Sequence, residues 1–326
     1  MLTKAIRFHQ TGGPEVLRWE EIEVRDPEPG EVRLRNTAVG LNYRDIYLRK
    51  GMHPIAAFPS GLGIESAGAI EALGPGVTDF AIGQRVACVA GPDNAYAEAR
   101  LVPAARVVPL PGGIEERSAA SMMIRGMTAR YLLRETYAVQ RGDVILIHAA
   151  AGGVGLLVCQ WAKHLGATVI GTVGSRAKAD VARAHGCDHA IVYTEEDFAE
   201  RARAITGGAG VAVVYDSVGR TTFEGSLRCL RRRGVLASFG ESSGDPEPIA
   251  PRRLGQLGSI YVTHPSLPDY TATRAALLEN ANELFGMVLA GKLKIDINQV
   301  YPLSEAAYAH RDMEARRTTG ASVLIP

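Results

Sequence analysis

Residues 143–166 read DVILIHAAAGGVGLLVCQWAKHLG: an apolar run, a glycine-rich turn and an amphipathic helix in immediate succession. Set on the dinucleotide fingerprint G-x-G-x-x-G, Ala150, Gly152 and Gly155 take the three glycine positions, with alanine in the first. Gly152 permits a diphosphate to approach the backbone closely, and Gly155 lets the helix pack on the sheet. The diphosphate then lies at the positive end of a helix. A turn that needs glycine for packing alone is the bland alternative, and the downstream sequence weighs against it. From Asp143 onward the apolar runs VILIHA, TVIGTV, AIVY, VAVVYDSV, GVLASFG and SIYVT alternate with helical stretches. Six buried parallel strands are predicted, so the fold class is α/β with a Rossmann-type doubly wound sheet. Gly166, Gly186 and Gly234 are read as left-handed residues closing three helices, and Arg231, Arg232 and Arg233 as the last turn of the third.

The second strand, ATVIGTVGSRAKAD, bears on which dinucleotide is bound. An NAD site places an acid about 20 residues beyond the glycines to hold the ribose hydroxyls, whereas a 2′-phosphate needs cations. Gly174, Ser175, Arg176 and Lys178 fill that region, and Asp180 falls further along inside the helix. NADP is therefore favoured. Cations in a helix's first turn oppose its dipole, so an anion is expected nearby. Tyr193, closing AIVY, is open to two readings: a ring stacked on adenine, or an ordinary strand-end aromatic.

Working toward the N-terminus, a helical stretch at 121–140 aligns Met123, Met127, Tyr131 and Leu132 near one face. Before it, KAIRFH, EVRLRNTAVG, SAGAIEAL, RVACVA and AYAEARLV read as strands punctuated by GGPE, DPEPGE, LGPGV and LPGGI. A mostly β domain follows. After Pro265 a helix near Thr273 to Ala290 leads to a final strand, SVLI, in a tail too small to fold alone. The expected division is 1–124, then 125–265 as the nucleotide-binding domain, with 266–326 returning to the first. A chain of 326 residues fits two domains at roughly 100 to 200 residues each.

A formal charge of +1, from 36 basic and 35 acidic residues, argues against nucleic acid or an anionic membrane as a dominant partner and leaves a small substrate. The four cysteines, Cys88, Cys159, Cys187 and Cys229, lie too far apart for a disulfide framework or metal-ligand spacing. With no apolar leader or membrane-length run, a cytoplasmic location is expected. The histidines, His148, His164, His185 and His310 among them, form no ligand set, and no metal site is expected. In AVGLNYRDIYLRKG, polar Asn42, Asp45 and Tyr47 interrupt an apolar stretch and read either as turn and surface residues or as the lining of a cleft.

Taken together, GGPEVL, NYRDIYLRKG, FPSGLGIESAG, HAAAGGVGLLVCQWAKHLGATVIGTVGS, VVYDSVG, SFGESSG and YVTHPS give the whole chain a resemblance to the zinc-independent quinone oxidoreductases. These are close relatives of zeta-crystallin within the medium-chain dehydrogenase/reductase superfamily. AxxGGVG is widely shared there; NYRDIY with SFGESSG is more specific. The resemblance implies a GroES-like catalytic domain built from both chain ends, a homodimer formed near SIYVTH, and NADPH as cofactor. Related zinc alcohol dehydrogenases carry Gly-His-Glu where this chain has Gly63, Ile64 and Glu65, and cysteines where it has GPDNAYAEAR, so neither zinc is expected.

Position by position, the resemblance puts Asn42, Tyr47 and Thr128 near nicotinamide and substrate, with Asn42 and Tyr47 catalytic. It assigns Gly152, Gly153 and Val154 to the pyrophosphate, and Gly174, Ser175, Lys178 and Tyr193 to the adenosine end, with Lys178 and Tyr193 at the 2′-phosphate. Ser217, Phe239, Ser242 and Thr263 become further cofactor contacts, Arg316 adds charge from the other domain, and Arg125 departs from a lysine common among bacterial relatives. The implied activity is NADPH-dependent reduction of a quinone by direct hydride transfer. The rivals are an NADPH-dependent enone or acrylate reductase and, in another class, a structural or AU-rich RNA-binding protein. Balanced charge and the lack of an aromatic-studded basic face disfavour RNA.

Overall fold

Strands β1 (Leu2–Arg7) and β2 (Arg18–Glu23) form an antiparallel pair that opens the chain. The structure, a computed structural model, describes residues 1–89, 91 and 93–326; Ala90, ending the run RVACVA, and Pro92, within GPDNAYAEAR, lie outside the described residues. Next come β3 (Glu31–Leu41), β4 (Glu65–Leu73), β5 (Arg85–Val89), β6 (Ala99–Pro103) and β7 (Val107–Pro109). Burial alternates along the first half of β3, giving one covered face and one wet face. Two partners share one edge of this long strand: β6 pairs its first half, and β15 (Ala321–Ile325) pairs Val39, Gly40 and Leu41. Beyond β15 lies β14 (Ile297–Pro302), completing the order β14-β15-β3-β4-β5-β7. The core accordingly mixes distant sequence, with Ile6, Phe8, Leu41, Leu48, Tyr96, Leu303 and Leu324 in one cluster.

The second sheet contains β8 (Val144–Ile147), β9 (Thr168–Val173), β10 (His189–Val192), β11 (Val211–Asp216), β12 (Leu230–Ser238) and β13 (Tyr261–Thr263), all parallel, in the order β10-β9-β8-β11-β12-β13. The six apolar runs of the sequence are these six strands. Leu146, Ile170, Ile191, Val214 and Leu236, one from each of five strands, share a core with Phe223 and Leu227 of a covering helix. Full burial of such a side chain contributes about 1.5–3 kcal/mol. Gly166 and Gly186 close their helices at φ 87° and 93°, as predicted.

Gly234 does not. The helix Phe223–Cys229 stops at an extended Leu230, and Arg231, Arg232 and Arg233 belong to β12, with Arg233 itself left-handed at φ 59°. A register shift in the pairing of β11 with β12 lets this charged run face solvent while Leu230 and Gly234 stay buried.

Contacts divide the chain into one unit of Met1–Ile124, Thr271–Leu289 and Ile295–Pro326, and another of Arg125–Tyr270 and Ala290–Lys294. The return falls at Thr271, later than the 266 expected from sequence, because Tyr270 stacks on Tyr131 of the second unit with ring centres 4.3 Å apart. Ala290–Lys294 stays with the second unit, where Gln160 bonds both Lys294 N–H and its carbonyl at 2.8 and 3.1 Å. No helix among the described residues is long and apolar enough to cross a membrane.

Candidate active site

At the carboxyl end of β8 the chain turns through Ala149, left-handed at φ 51°, into the helix Gly153–His164. Gly152 is its N-cap, and neither a capping side chain nor a first-turn acid satisfies that end. Its free N–H groups and dipole favour an anion. A Cβ on Gly155 would lie 2.4 Å from the Ala149 carbonyl oxygen, so only glycine lets the helix start this close to the strand. The turn sits between β8 and β11, where the strand order reverses and open α/β sheets place their ligands.

One strand along, β9 is followed by Gly174, whose absent Cβ would lie 2.8 Å from the Tyr193 hydroxyl. Ser175 caps the helix Arg176–Ala184, its hydroxyl accepting from Lys178 N–H at 3.3 Å. Glycine, cap, lysine and half-exposed Tyr193 thus converge at one corner of the sheet. The anion expected beside these first-turn cations is Glu195, whose carboxylate accepts from Arg176 at 3.0 and 3.1 Å.

Ser217, Phe239 and Ser242 follow the carboxyl ends of β11 and β12, and Thr263 ends β13. Phe239 N–H donates to the Asp216 carbonyl at 2.8 Å and Ser242 N–H to Ser217 at 3.4 Å, which ties these loops together. Asp216, wholly buried, fixes them from below. Its carboxylate accepts from Val218 and Gly219 N–H at 2.8 and 3.1 Å, from Thr222 at 2.8 Å and from Ser226 at 2.8 Å. Because the Ser226 proton goes to Asp216, its oxygen accepts from His148 Nε2 at 2.9 Å, leaving Nδ1 to accept from Thr172 at 2.8 Å. One neutral tautomer satisfies all four groups, and burial lowers the His148 pKa accordingly. This network spans β8, β9 and β11 directly behind the turn.

In the first unit Asn42 caps the helix Tyr43–Lys50. Its N–H donates to Asp45 at 2.9 Å and its side-chain amide to Glu65 at 2.7 Å, while the second Glu65 oxygen takes Ile124 N–H at 2.8 Å. Behind Asp45 lies a relay: Tyr96 donates to Asp45 at 3.1 Å and meets His310 Nε2 at 3.2 Å, and Arg49 donates to His310 Nδ1 at 3.2 Å and to Glu314 at 2.8 Å. Burial pushes Asp45 up to about 6 and, with Arg49 adding to the effect, His310 down to about 3. Asn42 is therefore rigidly aimed. Tyr47, on the same helix, stacks on His53 at 5.6 Å.

Comparison with known proteins fits this geometry. The family model for the alcohol dehydrogenase GroES-like domain matches residues 28–112, and that for zinc-binding dehydrogenase matches 153–282. A quinone oxidoreductase of Pseudomonas aeruginosa is 49% identical over 100% of both chains. The crystal structure of Escherichia coli quinone oxidoreductase complexed with NADPH superposes with a TM-score of 0.97 at 46% identity, covering 99% of this chain and 100% of that one. This chain belongs to the quinone oxidoreductase family of medium-chain dehydrogenases/reductases. A 2-haloacrylate reductase of a Burkholderia species is 46% identical over 100% of this chain and 99% of its own.

The zinc in one family description does not fit the residues present. Among the described residues no three His, Cys, Asp or Glu side chains converge on a metal position, and both oxygens of Glu65, beside Ile64, are engaged by Asn42 and Ile124. Of the residues named from sequence, Asn42, Tyr47 and Arg316 lie in the first unit; Thr128, Gly152, Gly153, Val154, Gly174, Ser175, Lys178, Tyr193, Ser217, Phe239, Ser242 and Thr263 lie in the second. Thr128 and Arg125 are nearly buried on the helix Glu116–Tyr131, and Arg316 is exposed with φ 57°. Sequence reasoning missed Glu65, Tyr96, His310, Asp216 and Ser226 as supports. An acid inside an apolar strand, as in IESAGAI, is the one signal that pointed to Glu65.

Proposed function

We propose that the chain reduces quinones with NADPH by direct hydride transfer, with no metal in the step. The uncapped, glycine-packed helix start at Gly152–Gly155 carries this reading, because it leaves an anion site at the switch point of the sheet. Bound NADPH supplies the hydride. The first-turn N–H groups of Gly153 and Val154 hold its pyrophosphate, and Gly152, whose own N–H is given to the Ala149 carbonyl at 2.8 Å, lets it approach the backbone closely. Gly174, Ser175, Lys178 and Tyr193 take the adenosine end, with Lys178 and Tyr193 at the 2′-phosphate; Arg176 is already committed to Glu195. Ser217, Phe239, Ser242, Thr263 and Thr128 line the remaining course, and Arg316 adds positive charge.

Asn42, locked by Glu65, and Tyr47 hydrogen-bond the acceptor's carbonyl oxygen as charge develops on it. A quinone spreads that charge over its ring, so the residues need only orient it and exclude water. The proton arrives from Tyr47 or from solvent. We place the protein in a reducing cytoplasm, which the four buried cysteines, none of them in a disulfide, support. We also propose a homodimer through the edge strand β13, whose Tyr261 is 56% exposed.

Anaerobic NADPH oxidation with a panel of quinones, run in parallel with NADH, tests the function. Turnover with NADPH at least about tenfold above NADH is expected, a discrimination of about 1.4 kcal/mol. No turnover with any quinone, or no heat on titrating NADPH, refutes it. For the roles of Asn42 and Tyr47, unchanged turnover in both Asn42→Ala and Tyr47→Phe is the refuting result. Reduction of a conjugated double bond is the second reading, favoured by the similarity to the 2-haloacrylate reductase. Including 2-haloacrylates and enones in the panel separates the two.

A further inference from the structure

A cavity of about 530 Å³ opens in the first unit beside β1, β2 and β6, and neither the nucleotide turn nor Asn42 and Tyr47 line it. Ile6, Ile22 and Leu101 form apolar wall, and Arg7, Arg100 and Glu23 bring charge. Arg100 is 2% exposed, yet the partners of its guanidinium are uncharged: Asn94 Oδ1 at 3.1 Å, Ser66 Oγ at 2.9 Å and the Cys88 thiol, with Nε unpartnered. Asp93, the acid whose charge reaches it, is taken by Arg44 at 2.5 Å. Arg7 repeats the pattern, with one nitrogen on the Pro59 carbonyl and Nε unpartnered. A third guanidinium at the cavity, Arg25, is already neutralised by Glu31 at 2.6 Å. The single lining carboxylate, Glu23, is exposed.

A buried cation facing only neutral dipoles gives up its hydration without a counter-charge to offset the loss. An anion entering the cavity supplies that charge, and a volume of this size suits a small organic molecule. We propose that the cavity binds a small organic carboxylate, its apolar body against Ile6, Ile22 and Leu101 and its carboxylate on the guanidinium groups of Arg7 and Arg100. The site is separate from the nucleotide turn, so occupancy does not require NADPH.

Calorimetric titration of the full chain with benzoate, phenylacetate and hexanoate, with benzamide as the uncharged control, is the test. At least one carboxylate binds saturably at one per chain, benzamide binds at least about tenfold more weakly, and Arg7→Ala and Arg100→Gln each weaken the carboxylate about tenfold through loss of a charge-assisted hydrogen bond. Saturating NADPH leaves the affinity unchanged. Arg7 is half-buried, so Arg7→Ala keeps its urea midpoint and decides the matter if Arg100→Gln does not fold. The proposal is overturned by any of four results: no heat from all three acids, equal binding of benzamide, full affinity in Arg7→Ala, or displacement of the carboxylate by NADPH.

Discussion

Replacing Gly155 by alanine forces a side-chain carbon against the main chain of the nucleotide turn. The added Cβ lands 2.4 Å from the Ala149 carbonyl oxygen and 2.8 Å from the Ala150 backbone, whereas ordinary contact begins at 3.4 Å. These neighbours are main chain, so the helix start has to retreat by about 1 Å. Overpacking of this kind destabilises by about 1–3 kcal/mol. The retreat also withdraws the first-turn N–H groups from the diphosphate, and a misplacement of about 1 Å is enough to weaken a positioned interaction by one to two orders of magnitude. Gly155→Ala is therefore expected to raise the Kd for NADPH at least tenfold, about 1.4 kcal/mol, and to lower the urea midpoint. The control is Gly286→Ala, on the helix Arg274–Leu289, where an added Cβ meets nothing within 4 Å and helix propensity favours alanine by about 0.5–1 kcal/mol. NADPH fluorescence titration with urea unfolding of both variants measures this. Unchanged affinity together with a stability within about 0.5 kcal/mol of the parent would refute close packing as the reason for glycine here.

Lys178→Ala is expected to raise KM for NADPH several-fold while leaving KM for NADH alone, and Arg176→Ala to do much less because its guanidinium is held by Glu195; equal effects on both nucleotides would contradict the assignment. His310 titrates near 3 in the fold against an ordinary 6.5, so its contribution is fully present above pH 6.5 and is lost, by a few kcal/mol in all, as the unfolded chain takes up the proton toward pH 3. His310→Gln keeps an acceptor for Arg49 and a donor for Tyr96, and its urea midpoint should fall less steeply between pH 6.5 and 4; parallel curves would remove His310 as the cause. Asp45 acts with opposite sign, since its raised pKa makes the fold take up a proton first as pH drops through about 6. Ser226→Ala strands His148 Nε2–H and leaves Asp216 one donor short, costing about 1–3 kcal/mol by urea unfolding, with a loss below about 0.5 kcal/mol counting against the network.

The second sheet was legible because strands buried on both faces, such as VAVVYD in β11, read as unbroken apolar runs, and because Gly166 and Gly186 stand where left-handed backbone ends a helix. Arg231–Arg233 misled for a physical reason: three cations after a helical pattern suit a carbonyl end, and nothing local signals that Leu230 has already turned extended. The supports of the site were largely illegible because their partners are remote. Asn42 meets Glu65 across 23 residues, and Arg49 meets His310 across 261. Asp45 and Glu65 stand in apolar stretches that hint at burial, but the partners that complete it are named nowhere near them in sequence. Arg176 shows the reverse case, since the dipole alone called for an anion and Glu195 supplies it.

The pairing of β15 with β3 joins Ser322 to Leu41, the residue before Asn42. On a ribosome the nucleotide-binding sheet, continuous from β8 to β13, has its strands available long before that partner is made, and domains tend to fold as units while synthesis proceeds. The half of the molecule translated first is thus the one that finishes last. A chain shortened by its final strand would keep the parallel sheet and lose the edge contact on which Asn42 is mounted.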